Sequence, residues 1–498
     1  MMDVLIYKKI FFSGLPIWIL LAGGLIVLLV DAFIKNNREI VFYLGLISFA
    51  VSIAFVFKRW VTSDFVPVDF LTFDRLSYFF ILLVMLTGFL SLLNSHGYLK
   101  SGINDDDEVI LTTMPAAFVS LIIFCVVGQI FLFASDHLIV NFIGLECLSL
   151  GTYALVGSRR QDARSNEAAI KYYVTGSLAS AVILYGIVLL YASYGTLRLD
   201  ELAQIKSASS LGPVFPRVAM SLILVGFFFK VSLVPFHFWT PDVYEGAPTP
   251  VTGFMTSAVK IASFAFLIRL LNSIHFFGDQ KLVSILAFLA GLTMVIGNLG
   301  ALVQDNLKRM LAYSSIAHAG YILLGMVACY EGSVFNVSLA MPVLFYLLTY
   351  LFSVLGAFGV LSVMIWDKKE ACQLSDLTGM GYTRPVLSFV FCVFLFSLLG
   401  FPPTAGFLGK YSLFSLAIQK GYLGLAILGM VTSVISAAYY IRPLVYLYFK
   451  GEPGRAPITL VTFPAMFALV FCFLMVLYLG LIPTTYLKMA FVALGILS

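Results

Sequence analysis

Apolar stretches of about 20 residues recur along the whole chain, each long enough to cross about 30 Å of hydrocarbon at 1.5 Å per residue. They predict helices near 14–34, 39–57 and 73–95, followed by a polar stretch containing Asp105, Asp106, Asp107 and Glu108. Five more fall near 109–134, 136–158, 166–193, 214–240 and 247–276, and another five near 281–303, 310–330, 335–365, 385–420 and 423–449. A last one near 459–483 completes about fourteen, so the pattern predicts an all-α polytopic membrane protein.

The two groups of five echo each other. Tyr153 and Gly157 recur as Tyr321 and Gly325, each 168 residues later, and Asp136 and Asp305 precede the matched second helices. The fourth helix of each group is interrupted by proline, at Pro235 in FKVSLVPFHFWTP and at Pro402 and Pro403 in LLGFPPTAGFLGK. Proline removes a backbone hydrogen bond, and inside a membrane the freed carbonyls need protein or water as partners. Paired breaks in two halves are the usual pointer to a transport site. The expected organisation is an N-terminal three-helix unit (1–108), a first repeat (109–276), a second repeat (277–450) and a C-terminal helix (451–498).

Composition agrees with a membrane setting: 61% of the residues are hydrophobic and 11% charged, against about 25% charged in soluble domains. The net charge of +5 is small and lies mostly in loops, which gives no sign of nucleic-acid binding. The six cysteines form no CxxC pair, so no metal or iron–sulfur site is expected. The first apolar run ends in Asp31 without a small-residue cleavage site and reads as a retained helix. An even number of spans puts both termini on one side. Basic residues such as Arg159, Arg160, Arg164, Lys308 and Arg309 favour the opposite side as the inside, leaving the termini outside.

Charges in mid-helix change the picture most, because each costs roughly 2.5–3.5 kcal/mol to insert and must face a partner or a cavity. Glu146 in VNFIGLECLSLG lies too deep for its short side chain to reach the headgroups, and Lys230 in LVGFFFKVSLVP is its natural partner. A buried lysine whose carboxylate can approach or retreat is a proton carrier of adjustable affinity. Lys260, Lys410 and His318 are also mid-helix. Lys171 is about a turn and a half into its helix, where it can serve a site or reach the interface. His237, Arg269 and Arg442 lie near breaks or helix ends and read as structural. GFLGKYS is not a phosphate-binding loop, since Thr404 stands where the first glycine is required.

The runs FKVSLVPFHFWTPDVYEGAPTPVTGFMTSAVK, NLKRMLAYSSIAHAGY and GFPPTAGFLGKYSLF resemble the subunit N family of bacterial respiratory complex I, the NADH:quinone oxidoreductase, over roughly residues 130–450. This is one of a set of antiporter-like subunits. The resemblance implies fourteen helices with inverted repeats in helices 4–8 and 9–13. It also implies a relay through Glu146, Lys230, Lys260 and Lys410, with Lys171 and His318 on polar positions of the family. TPDVYEGAPTPV favours subunit N over L and M. The two break lysines are not strict equivalents, because Lys230 precedes its proline and Lys410 follows Pro403.

The implied function is proton translocation in the cell inner membrane, with both termini periplasmic. No cofactor is expected on this chain; NADH, FMN, iron–sulfur clusters and quinone would belong to other subunits. The implied partners are the lipid bilayer, the antiporter-like subunit M and the small subunits K, J, A and H, with no nucleic acid. Two alternatives share the design: a subunit of a multi-subunit sodium/proton antiporter, and an anchoring module whose charges only join helices.

Overall fold

The computed structural model describes residues 13–34, 38–62, 70–100, 115–205, 209, 211–273, 280–366, 369–370, 372–450 and 458–495. The acidic stretch 105–108 and the boundary placed after it lie outside these residues, as do Lys8, Lys9, Lys35, Lys206, Lys368 and Arg455.

Twelve described helices are long and apolar enough to span a membrane unbroken. They are α1 (Leu15–Phe33), α2 (Arg38–Thr62), α3 (Arg75–Lys100), α4 (Pro115–Ala134), α5 (Leu138–Val156), α6 (Ala163–Tyr194), α8 (Thr249–Ser273), α9 (Gln280–Leu302), α10 (Leu307–Val327), α11 (Met341–Ser362), α13 (Leu423–Tyr448) and α14 (Phe463–Leu481). Two further spans consist of half-helices. These are α7a (Val214–Lys230) with α7b (Trp239–Gly246), and α12a (Pro385–Leu399) with α12b (Ala405–Gln419). The fourteen spans match the hydropathy pattern, and a short α15 (Thr484–Ala493) follows them.

A helix that is apolar all round is either buried or lipid-facing, and both kinds occur. The apolar windows of α8 and α11 are wholly buried and that of α10 nearly so, whereas most of α1, α2, α6, α13 and α14 is half-buried or exposed. The core is therefore α3, α8, α10 and α11, with an outer ring around it. Small residues bring matched pairs together: a Cβ on Gly128 would lie 2.8 Å from Gly144 O on α5, and one on Gly297 2.6 Å from Ala317 N on α10.

The repeats are antiparallel to each other. Helices α5 and α10 are both capped at the N-terminus by the residue after the aspartate, with His137 accepting from Ile139 N and Asn306 from Arg309 N. His137 also bridges to Arg198 and Asn306 to Gln373, so each cap residue is tied to a later loop of its own repeat. The α5 start lies at one end of the bundle, called upper, and the α10 start at the other, called lower. Short strands add ties that the hydropathy pattern does not predict. At the upper end β1 (Tyr330–Glu331) pairs with β2 (Val334–Phe335). At the lower end β3 (Met364–Trp366) pairs with β4 (Lys369–Glu370) and β5 (Ile458–Thr459).

Both proline breaks have their loose backbone groups satisfied by side chains, as an apolar surrounding demands. At the first, Trp239 Nε1 donates to Phe229 O at 3.1 Å and Val234 N to Thr293 Oγ1 at 3.1 Å, while a side-chain bond from Thr240 Oγ1 to Ser232 Oγ at 2.7 Å ties the break together. At the second, Gly400 takes the left-handed conformation at φ 88°, and Gly406 N donates to Ser397 Oγ at 3.2 Å.

Candidate functional site

Along the middle of the bundle, Lys230, Lys260, His318 and Lys410 are 2%, 1%, 3% and 4% exposed. None snorkels to a surface, so each depends on the partners its neighbours supply.

Lys230 is the last residue of α7a, and Val231, its C-cap, begins the break. Its Nζ donates to Ser149 Oγ at 2.7 Å and lies 3.4 Å from the Tyr153 hydroxyl, both on α5. The expected Glu146–Lys230 ion pair is not formed. Ser149 and Tyr153 stand about one and two turns beyond Glu146 along α5, so Lys230 meets the helix past the carboxylate. Glu146 Oε1 is buried without a hydrogen-bond partner, on a stretch of α5 where Ile143, Cys147 and Leu150 are exposed.

Lys260 follows a π-helical turn, Met255–Val259, that interrupts α8. Such turns re-aim side chains and often mark functional positions. Lys260 Nζ bonds Ser315 O and, at 2.5 Å, Ser315 Oγ, which also accepts from the Tyr350 hydroxyl at 3.1 Å. One turn along α10, His318 sits between two tyrosines. Its Nδ1 is 2.5 Å from the Tyr346 hydroxyl and its Nε2 3.1 Å from that of Tyr440. In a neutral imidazole one nitrogen donates and the other accepts, so either tautomer fits with the hydroxyls turned to match. Tyr440 in turn bonds Ser314.

Lys410 lies on α12b, yet its side chain folds back across the break. Its Nζ donates to Leu399 O, the last carbonyl of α12a, at 2.7 Å and to Ser433 Oγ on α13 at 2.9 Å. The Tyr321 ring centroid is 4.9 Å from the same nitrogen. The two break lysines thus differ in sequence position but both ammonium groups lie beside the broken helix of their own repeat. Direct hydrogen bonds divide the row into four groups: Lys230 on α5, Lys260 on Ser315 of α10, His318 between Tyr346 and Tyr440, and Lys410 against α12a and α13.

Lys171 stands apart from this row. It donates to Asp242 at 2.8 Å and pairs with Glu167 at 2.7 Å, in an open cavity of about 270 Å³ at the lower end that Glu245 and Arg309 also line. Arg309 bonds Asp242 at 2.6 Å and Glu245 at 3.0 Å. His237 lies in the first break, where its Nδ1 is buried without a partner. Arg269 joins α8 to Thr72, Asp74 and Ser77, and Arg442 binds the carbonyls of Leu302 and Gln304 with Asp305.

Sequence reasoning missed Glu370. It lies in the loop after α11, where its buried carboxylate takes Arg159 and, at 3.0 Å, Lys308, and accepts from Thr249 N at 2.9 Å. Arg159 Nε also donates to the Tyr98 hydroxyl at 2.8 Å, and Lys308 bonds Ala247 O. Burial alone would push this carboxyl up, but Arg159 and Lys308 hold it well below the usual carboxylate range. The polar run around Glu370 reads as an ordinary loop. The tyrosines were visible only as a repeat echo, through Tyr153 and Tyr321.

A family model described as NADH:quinone oxidoreductase/Mrp antiporter, TM, matches residues 135–436. The NADH-quinone oxidoreductase subunit N of Trichlorobacter lovleyi is 38% identical over 479 residues, covering 96% of this chain and 95% of that one. A chain of respiratory complex I from Thermus thermophilus with bound aureothin superposes with a TM-score of 0.79 at 34% identity, over 95% and 98% of the two chains. A chain of the Mrp complex from Dietzia sp. DQ12-45-1b shares the fold, with a TM-score of 0.81 at 20% identity over 97% of each chain.

Proposed function

Because the chain belongs to the NADH-quinone oxidoreductase subunit N family, we propose that it carries protons across the membrane as a non-redox subunit of a complex I-type enzyme. The observation that supports this best is the row of buried lysines and histidine held by neutral oxygens and rings. A buried carboxylate within bonding reach would lock an ammonium as an ion pair. Hydroxyl and carbonyl partners hold it in place and still let the proton leave.

In this reading a proton enters at the α7 break, resides on Lys230, and is held or released as Glu146 moves. It then passes by Lys260 and His318 to Lys410 and leaves at the α12 break. The Lys171 cavity at the lower end supplies a polar mouth. Charges on neighbouring sites repel, so occupation of one favours departure from the next. Electron transfer between NADH and quinone, with FMN and iron–sulfur clusters, belongs to other subunits, and the chain would contact subunit M and the small subunits K, J, A and H. Both termini would lie on the periplasmic side of the inner membrane.

Lys230→Ala or Lys410→Ala in the assembled, reconstituted complex tests this. Proton uptake should fall by at least an order of magnitude with assembly intact; unchanged uptake in both would overturn the relay and leave an anchoring role. The family model also spans Mrp antiporters, which keeps a sodium/proton antiporter reading open. Pumping that persists without sodium favours the proton relay, and pumping that stops favours the antiporter.

A further inference from the structure

We infer that Tyr153 and Tyr321 are repeat-related positioning residues that seat the ammonium groups of Lys230 and Lys410, so that each repeat carries its own tyrosine–lysine pair beside its broken helix. The inference rests on the proton-relay reading and adds two residues to it.

The two tyrosines stand 168 residues apart, at matched places on α5 and α10. Lys230 Nζ is 5.6 Å from the Tyr153 ring centroid, and Lys410 Nζ is 4.9 Å from that of Tyr321. Lys230 sits at the hydroxyl end of Tyr153, 3.4 Å from its oxygen, whereas Lys410 is well within the about 6 Å over which a ring attracts a cation. Each ring is also geared to the half-helix that follows the break. Tyr153 meets Tyr172 edge to face at 4.6 Å, and Tyr172 stacks at 4.6 Å on Trp239, the first residue of α7b. Tyr321 meets Phe414 of α12b edge to face at 5.9 Å. The hydroxyl of Tyr321 is fixed by Asn298 at 3.2 Å and Thr432 at 3.3 Å, which leaves the ring as the part that faces Lys410. A movement of either half-helix would therefore shift the packing against the ring and change its hold on the lysine.

The repeats differ in one respect. The place of Glu146 in the first repeat is taken in the second by Ser314, 168 residues later, and Ser314 is bound to Tyr440. Lys410 has neutral oxygens and the Tyr321 ring where Lys230 also has a carboxylate on the neighbouring helix, so the ring matters more at Lys410.

The test uses the whole complex in proteoliposomes, with proton uptake measured per NADH oxidised. Tyr321→Phe keeps the ring and should retain most of the uptake, whereas Tyr321→Leu should lose about three- to tenfold. Position 321 is then filled with phenylalanine bearing one, two and three ring fluorines, which weakens the ring's attraction for a cation at almost constant shape. A stepwise fall in uptake with fluorine number is expected. A flat series overturns the inference, whatever Tyr321→Leu does, and the near-isosteric series decides the matter even if Tyr321→Leu fails to assemble. Lys410→Ala run alongside separates the two ideas: normal uptake there defeats the relay, while lost uptake with a flat fluorine series defeats only the tyrosine seat.

Discussion

His318 shows what a single buried residue does here. It is the shared partner of Tyr346 and Tyr440, and of these Tyr440 has a second contact in Ser314. Replacing the imidazole with an apolar side chain leaves the buried Tyr346 hydroxyl without its partner, at a cost of about 1–3 kcal/mol. His318→Leu should therefore lower the melting temperature of the assembled complex as well as its proton uptake. A variant that melts as the wild type does would mean that the tyrosine hydroxyls find other partners. Mid-helix lysines and a histidine are legible from sequence because they are rare and costly in apolar runs. Their hydroxyl partners are not, since Ser149, Ser315, Tyr346 and Tyr440 cost little in a helix and give no signal. The Glu146–Lys230 pairing failed for a related reason: sequence places two charges at similar depth but cannot place one helix against another to within a turn.

At the scale of elements, the proline breaks were legible and the π turn before Lys260 was not, because nothing in MTSAV differs from an ordinary helical run. The short strands were equally silent, being two or three residues long. One of them, β4, carries Glu370, whose contacts join the end of α3, the α5–α6 loop, the start of α8 and the start of α10. Glu370→Gln leaves Arg159 and Lys308 buried without their anion. Breaking such a pair costs about 3–5 kcal/mol, so thermal unfolding should come markedly earlier at neutral pH. The carboxyl is held below its ordinary value of 4.5, so its contribution is fully present above that value and is lost as pH falls toward its folded-state value. The gap in stability between wild type and Glu370→Gln should accordingly narrow in acid below about pH 4.5. A gap that stays constant, or widens, would mean that the carboxylate is not what holds the two cations.

For the whole molecule, the number of spans and the two groups of five were legible because hydropathy and proline are strong, local signals. The antiparallel relation of the repeats, expected from the family resemblance, is met in contacts that set the α8 end beside the α5 start, through Arg269 and Asp74, and the α10 start beside the α8 start, through Lys308 and Ala247. The interior is built around α8 and α10, which carry Lys260 and His318 between the two broken helices. Charge entering at one break can leave at the other only if the row is continuous, and direct hydrogen bonds leave three intervals, from Lys230 to Lys260, from Lys260 to His318 and from His318 to Lys410. Water is the carrier that can close them, because each interval ends on polar side chains. The decisive measurement is a cryo-electron microscopy map of the assembled complex at a resolution that orders water. The account predicts bridging waters in all three intervals, whereas apolar side chains packed across any one of them, with no water between, would contradict it.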